Sequence, residues 1–488
     1  MTLRALARGS VLVAVANLLP RLGAFLLLPI YVRFLTQADF GTVSLAGSAA
    51  LLLAIVYRLG LDGALLRFHY DLDSSGRRSL YATVTAMSMA SAAIVTLLGV
   101  LLAPMITAED EGQVVVLLAL GIAATNTFQF VPSVWFRANQ QTGRYLALAV
   151  GAFAAVVVVT MLLVVVVRLG AIGSLVGQLA GATVMAGAAG AIMWRQRPWR
   201  LRGDLARRSL DFGLPLLPHT LAGWVLNVSD RWLLGLLLGL SASQALSAIG
   251  VYSLGYQLGY AVGLAAISFN AAWLPLLYRL GETSMARTVL REATTVVVAA
   301  FAGMALAIAA LAPDLIAVLA PPEWGAAADV AAVVALASAV HAAGLMLASG
   351  VYLARSTRVM PLLTLVAAGA SVAINIALIP SLGIMGAAWA TLAAYAVLAV
   401  LIGVLAQRRF PVPLDAGRLV IIAAVAAVSA LGSRLVSDQL AIAPLAAHLA
   451  VAAAAVAVLV IVARDPFERL RVALTASADR ADPGGAVE

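Results

Sequence analysis

Apolar runs of about twenty residues, each long enough to cross the hydrocarbon core of a bilayer, recur from one end of this chain to the other with only short polar breaks between them. They lie at roughly 10–35, 40–61, 79–104, 113–136, 145–167 and 171–194. After an arginine-rich break they continue at 211–240, 247–278, 290–312, 327–353, 359–380, 383–406, 418–436 and 441–463. No water-bounded core could hide that much apolar surface: 63% of the residues are hydrophobic and 11% charged, against about 25% charged in ordinary soluble domains. The expectation is an all-α integral membrane protein with 14 transmembrane helices.

All 31 basic residues are arginine, so the formal charge of +9 stays on at every relevant pH. In a bilayer the placement of arginines matters more than their sum, because short cytoplasmic loops retain them. With the N-terminus inside, the even-numbered connections and both termini hold Arg4, Arg8, Arg67, Arg77, Arg78, Arg137, Arg144, the 195–208 cluster and most of the remainder. The opposite face carries Arg33, Arg168 and Arg434 among Glu109, Asp110, Glu111, Asp314, Glu323 and Asp329. This gives an N-in, C-in topology. A cleaved signal peptide is not expected at the N-terminus, since the first apolar run continues past Arg21 to Tyr31 and its removal would invert the bias of every later loop.

The string Gly41-Thr-Val-Ser-Leu45 opening the second run recurs as Gly250-Val-Tyr-Ser-Leu254 opening the eighth. At nearly the same spacing, Leu169-Gly170-Ala-Ile-Gly173 recurs as Leu382-Gly383-Ile-Met-Gly386, and Arg144 is matched by Arg358. Each interval holds six crossings, an even number, so the repeat is parallel, with two six-helix lobes related about the membrane normal. The expected organisation is an N-lobe over 1–200, a C-lobe over 201–407, two appended helices over 408–463 and a cytoplasmic tail over 464–488, which, with Pro, Gly, Ala and mixed charge after Leu474, reads as a disordered end. The bridge 195–210, RQRPWRLRGDLARRSL, reads as a headgroup-contacting cytoplasmic linker, with no nucleic-acid role.

Leu28-Pro29-Ile30-Tyr31-Val32-Arg33-Phe34-Leu35-Thr36, followed by Gln37-Ala38-Asp39-Phe40-Gly41, resembles the opening of the bacterial polysaccharide-biosynthesis (Wzx-type) flippases, in the multidrug, oligosaccharidyl-lipid and polysaccharide exporter superfamily. Ser229-Asp230-Arg231-Trp232-Leu233-Leu234-Gly235 and the Leu-Gly-x-x-Gly turns fit as well, and the resemblance covers most of the first 406 residues. It implies two lobes around a central cavity in a bacterial cytoplasmic membrane. It also implies transport of an undecaprenyl-diphosphate-linked oligosaccharide to the outer leaflet by alternating access, alongside membrane lipids and envelope polysaccharide assembly proteins, without a cofactor. Lipid II flippases and multidrug/cation antiporters of the same superfamily are the alternatives.

Charge at membrane depth marks the candidate site, because an arginine at the bilayer centre costs about 2.5–3.5 kcal/mol even on the gentle insertion scale. Arg21, with Asn17 one turn earlier, lies within the first run. Arg231 lies within the seventh, with Trp224 and Asn227 along its face. Guanidinium groups facing a water-filled cavity would grip a diphosphate through bidentate charge-assisted hydrogen bonds. Arg58 sits near a helix end, where a topological role competes with substrate contact. Asn126 and Gln129 form a polar stripe with Ser133, and Tyr256, between Tyr252 and Tyr260 and followed by Asn270, offers aromatic faces to sugars or to packing. His341, His219 and the deep acid Asp230 are candidates for ion coupling. Pro20, Pro29, Pro132, Pro215, Pro218 and Pro275 are expected to bend or break helices.

An enzyme fits poorly. The longest hydrophilic interruptions, about 62–78 and 195–210, are too short to fold a catalytic domain. The loops hold no metal-ligand cluster or paired carboxylates, and the absence of cysteine excludes thiol chemistry and disulfides.

Overall fold

The computed structural model describes residues 25–107, 109–195, 197, 200–439 and 444–481. Helices account for nearly all of them, with no strand among the described residues. The first half contains α1 (Phe25–Phe34), α2 (Gln37–Arg58), α3 (Leu61–His69), α4 (Ser74–Ile106), α5 (Asp110–Thr127), α6 (Phe130–Ala138), α7 (Thr142–Thr160), α8 (Gly170–Arg195), α9 (Gly203–Gly213), α10 (Leu217–Val228) and α11 (Asp230–Leu237). The second contains α12 (Ala242–Gly259), α13 (Ala261–Leu280), α14 (Ser284–Leu319), α15 (Ala327–Leu353), α16 (Met360–Leu382), α17 (Ile384–Arg409), α18 (Ala416–Gln439) and α19 (Pro444–Ala481). Among the described residues, 11 helical spans are long and apolar enough to cross a membrane. The chain is a multi-pass membrane protein.

It divides into two compact units, Met1–Gly235 with Leu240–Gly250, and Leu236–Gly239 with Val251–Glu488. The divisions fall inside α11 and α12, so α9 and α10 belong to the first unit.

Local chemistry explains how the first unit begins. Thr36 caps α2, its hydroxyl accepting from the Asp39 amide at 3.1 Å, while the Asp39 carboxylate accepts from the Thr36 amide at 3.1 Å. This reciprocal pair satisfies two amides that a helix start leaves open. The other Asp39 oxygen accepts from the Ala171 amide at 3.3 Å, at the start of α8. Two stretches that stand out in the sequence, Thr36–Gly41 and Leu169–Gly173, thus meet through one carboxylate. Asp39→Ala should lower the unfolding free energy by about 1–2 kcal/mol through lost capping, whereas Asp39→Asn should cost less; thermal denaturation of the purified variants reads the difference.

The Leu-Gly-x-x-Gly turns share a form. Gly170 and Gly383 both have positive φ, 52° and 60°. Gly173 and Gly386 both lie where a Cβ would press on the preceding helix, at 3.0 Å from Leu163 C and 2.5 Å from Leu378 O. The internal repeat in the sequence is therefore matched by a repeat in backbone geometry.

Two sequence expectations are corrected. Helix breaks occur at Leu59–Gly60, Phe128–Gln129, Ser229 and Tyr260, none of them a proline. Pro132 sits near the start of α6, and Pro275, like Pro104, Pro313 and Pro380, lies inside an unbroken helix. Pro215 does lie in a break, the short 3-10 turn Leu214–Leu216, and Pro218 follows it at the start of α10; Pro29 lies inside α1, and Pro20 lies outside the described residues. The tail is not disordered where it is described. α19 runs to Ala481, and Leu470 and Ala473 pack on the buried cluster of Trp273, Leu277, Leu290 and Phe410. Arg469 lies 3.6 Å from Glu292, whose side chain is only 6% exposed, and Arg418 holds Asp465 at 3.0 Å. The apolar positions among the charges, invisible to composition, give the segment a face to bury. Truncation before Leu470 should expose that cluster and lower the melting temperature, which a thermal scan would show.

Candidate functional site

The polar side chains of the first unit gather at its helix breaks. Backbone that leaves the helix at membrane depth survives only where protein or a water-lined cavity satisfies it, and such discontinuities are where transporters place their binding groups.

At one of them Leu59 and Gly60 both take left-handed conformations, φ 51° and 69°, turning α2 into α3. The turn is pressed against the end of α9. A Cβ on Gly60 would meet Gly213 O at 2.4 Å, and one on Gly213 would meet Leu59 O at 2.5 Å. Arg58, the last residue of α2, donates from Nη2 to the main-chain oxygen of Asn126 at 2.6 Å, across to the end of α5. The Asn126 side-chain oxygen in turn accepts from Gln129 Nε2 at 2.5 Å, over the α5–α6 break. Arg58 Nε is buried with no hydrogen-bond partner among the described residues. An orphaned guanidinium N–H on a half-buried arginine leaves donor capacity for a ligand.

At the α10–α11 break the arrangement is different. Arg231 donates from Nε to Ser44 Oγ on α2 at 3.0 Å, and the neighbouring Asp230 is fully buried. Trp224 donates to Ser48 O at 3.1 Å and Trp232 to Ser48 Oγ at 2.8 Å. Asn227 returns its amide to Gly223 O at 2.6 Å. Two indoles and a guanidinium are thus fixed on two serines one turn apart. Ser44, Ser48 and Trp232 are not distinguished as site residues by sequence, because a serine in an apolar run carries no signal until its partner is known.

The structure brings Arg231, Trp224 and Asn227 together, and Arg58, Asn126 and Gln129 together, but in separate places. Ser44 and Arg58 are far enough apart in α2 to put about 20 Å between the two clusters at 1.5 Å per residue. One diphosphate cannot touch both at once. Asn17 and Arg21 lie outside the described residues. His219 is exposed.

The second unit contributes other groups. Tyr252, Tyr256 and Tyr260 contact one another in sequence, the last two stacked at 5.7 Å and 22°. Tyr252 is fully buried and Tyr256 nearly so; their faces are occupied by each other, which favours packing over sugar contact. Asn270 Oδ1 is buried without a hydrogen-bond partner among the described residues. His341 lies against the Tyr395 ring at 4.8 Å. A cavity of about 1170 Å³ lies among α14, α15, α17, α18 and α19, walled by residues such as Val298, Leu336, Trp389, Leu419 and Ile422. Its lining is overwhelmingly apolar. No group of three or more potential metal ligands occurs among the described residues.

The sequence profile of a family described as "Polysaccharide biosynthesis protein" matches residues 6–280. This chain belongs to that family. In fold it is similar to the lipid II flippase MurJ in its inward closed conformation, with a TM-score of 0.73, 11% identity, and 93% of this chain and 99% of that one covered. An inward-facing multidrug resistance MATE family transporter of the MOP superfamily aligns with a TM-score of 0.57 at 16% identity, covering 80% of this chain and 94% of that one. A MOP superfamily transporter from Pyrococcus furiosus gives 0.51 at 14% identity, covering 83% and 95%. At such identities the likeness is one of fold. No curated protein matches the chain in sequence.

Proposed function

We propose that this protein is a flippase that carries a polyprenyl-diphosphate-linked oligosaccharide from the cytoplasmic to the outer leaflet of a bacterial cytoplasmic membrane, for cell-surface polysaccharide synthesis. The observation that carries the reading is Arg58: a permanently charged, half-buried guanidinium at a helix break, tied by one N–H and with another left open. A diphosphate supplies acceptors in the geometry a guanidinium fork prefers. Arg231 on α11 brings a second guanidinium to Ser44, about 20 Å from Arg58 along α2, so the headgroup passes from one arginine to the other rather than resting on both. The family match and the shared fold of flippases and exporters support a lipid-linked cargo, and the apolar cavity of the second unit suits its hydrocarbon chain.

In this reading the chain makes fourteen crossings with both termini inside, and its two lobes, 1–200 and 201–407, rock in alternating access. Two negative charges moving outward across an inside-negative membrane gain about 4.6 kcal/mol per 100 mV, from roughly 2.3 each. Voltage alone is then a sufficient drive.

Lipid II is the second reading, favoured by the MurJ-like fold, and it shares the diphosphate. Reconstituted protein offered a fluorescent undecaprenyl-diphosphate oligosaccharide and fluorescent lipid II, under an imposed potential, separates the two. The proposal expects the oligosaccharide to cross faster. Preferred movement of lipid II replaces the substrate, and exchange of a cationic drug with no lipid movement overturns the reading in favour of an antiporter.

A further inference from the structure

Two indoles converge on one buried serine. Trp224 on α10 donates to the main-chain oxygen of Ser48 at 3.1 Å, and Trp232 on α11 donates to its hydroxyl at 2.8 Å. That hydroxyl in turn donates to Leu45 O at 2.7 Å, which leaves its lone pairs for the Trp232 N–H. With both N–H groups tied, what the two tryptophans still offer is the faces of their rings. Those faces are open. Among the described residues neither ring meets another aromatic ring or a cation, unlike Tyr256 and Tyr260, which stack on each other. Trp224 is half-buried and Trp232 is 39% exposed.

The open side is not a lipid-facing one. Thr220, Trp224 and Asn227 follow one another at helical spacing along α10, and Arg231 continues the stripe past the break, its Nη1 reaching back to Asn227 O at 3.4 Å. A charge at membrane depth faces the protein interior or a water-filled space, and Trp224 shares its stripe. On the flank of the stripe a Cβ on Gly223 would meet nothing within 4 Å. The guanidinium is held by Ser44 and the indoles by Ser48, so their anchors are about 6 Å apart along α2 at 1.5 Å per residue. This spacing suits a phosphate and the sugar ring bonded to it. All of these residues belong to the first unit.

We propose that Trp224 and Trp232 form a sugar subsite beside Arg231, which takes the C–H face of the ring bonded to the diphosphate, with Ser48 positioning both indoles. The inference rests on the reading of the protein as a carrier of a diphosphate-linked oligosaccharide, and it adds a means of telling the loaded lipid from the bare one. Both lipids carry the same diphosphate and the same chain, so neither an arginine nor an apolar wall can separate them. An aromatic platform can, because only the loaded lipid has a sugar ring.

The test compares two probes, undecaprenyl diphosphate and the same lipid bearing an oligosaccharide, by their affinity for the protein in nanodiscs. The parent should prefer the oligosaccharide lipid by about tenfold, and Trp224→Leu or Trp232→Leu should each reduce that preference to about twofold or less. Ser48→Ala, which keeps both rings but removes the hydroxyl that holds Trp232, should give an intermediate ratio. Arg231→Ala should weaken both lipids together and hold the ratio. Gly223→Leu places its side chain in open space; it should lower the ratio by filling room beside the indoles. Should the leucine variants of the two tryptophans fail to fold, by size-exclusion chromatography, Gly223→Leu decides alone. A parent with no preference overturns the subsite, and so do folded tryptophan variants that keep the preference or lose both lipids equally, since the indoles then brace α10 on α2 or meet the polyprenyl chain. Each of those results leaves the diphosphate reading in place. A parent that binds neither lipid overturns the flippase reading itself, and the subsite with it.

Discussion

Gly250→Ala should be among the most destabilising single substitutions in this protein, and Gly250→Leu should leave little folded material. The two glycines that mark the internal repeat, Gly41 and Gly250, are in contact where α2 crosses the first turns of α12. A Cβ on Gly250 would lie 2.0 Å from Gln37 O and 3.2 Å from Gly41 N; one on Gly41 would lie 2.0 Å from Leu246 O and 3.2 Å from Gly250 N. Small residues permit such close backbone approach between membrane helices, and here the obstacle is main-chain oxygen on both sides, with no side chain able to swing away. The helices must part, forfeiting contacts along the crossing, at a cost of about 3 kcal/mol or more. Gly47 on α2 and Gly151 on α7 have open space where their Cβ would go. Alanine there should be neutral or stabilising by about 0.5–1 kcal/mol. Thermal unfolding followed by circular dichroism compares the four. Gly250→Ala as stable as the parent would mean that the helices do not cross at these glycines.

The second large effect concerns activity. Arg58→Ala should reduce transport by about a hundredfold, roughly 2.7 kcal/mol, the size of a lost charge-assisted hydrogen-bond pair. Arg58→Lys should recover only part of it, because an ammonium cannot hold Asn126 O and a diphosphate oxygen in one plane as the guanidinium fork can. The bond to Asn126 also ties α2 to α5, so a purely structural arginine would show itself as a lowered melting temperature with equal losses for every substrate. A binding arginine would instead cost most for the diphosphate lipid and least for a monophosphate analogue. Initial rates in proteoliposomes with both lipids check this.

The helical bundle was legible in the sequence because a bilayer accepts few alternatives. A run such as 145–167, apolar throughout, can only be a crossing helix. The breaks were not legible for the same reason: Phe128–Gln129 and Ser229 sit inside runs that are apolar on either side, and their turn chemistry comes from tertiary contacts. Gly60 and Gly213 did carry a signal, but only their mutual approach gives it meaning. Two of the prolines misled, since Pro29 and Pro275 are absorbed in continuous helices. Arg58, Asn126, Gln129 and Arg231 could be picked out because a polar side chain in an apolar run demands a partner. That Arg58 meets Asn126 and Arg231 meets Ser44 depends on folding and could not be read from spacing.

The central claim is that buried arginines carry the headgroup. Its most direct test is translocation of a fluorescent undecaprenyl-diphosphate oligosaccharide in proteoliposomes under an inside-negative potential, comparing the parent with Arg21→Ala, Arg58→Ala and Arg231→Ala. The account predicts that the parent carries the lipid and that Arg58→Ala and Arg231→Ala, though folded, each lose transport by at least about tenfold. Full transport by folded Arg58→Ala and Arg231→Ala proteins would contradict it.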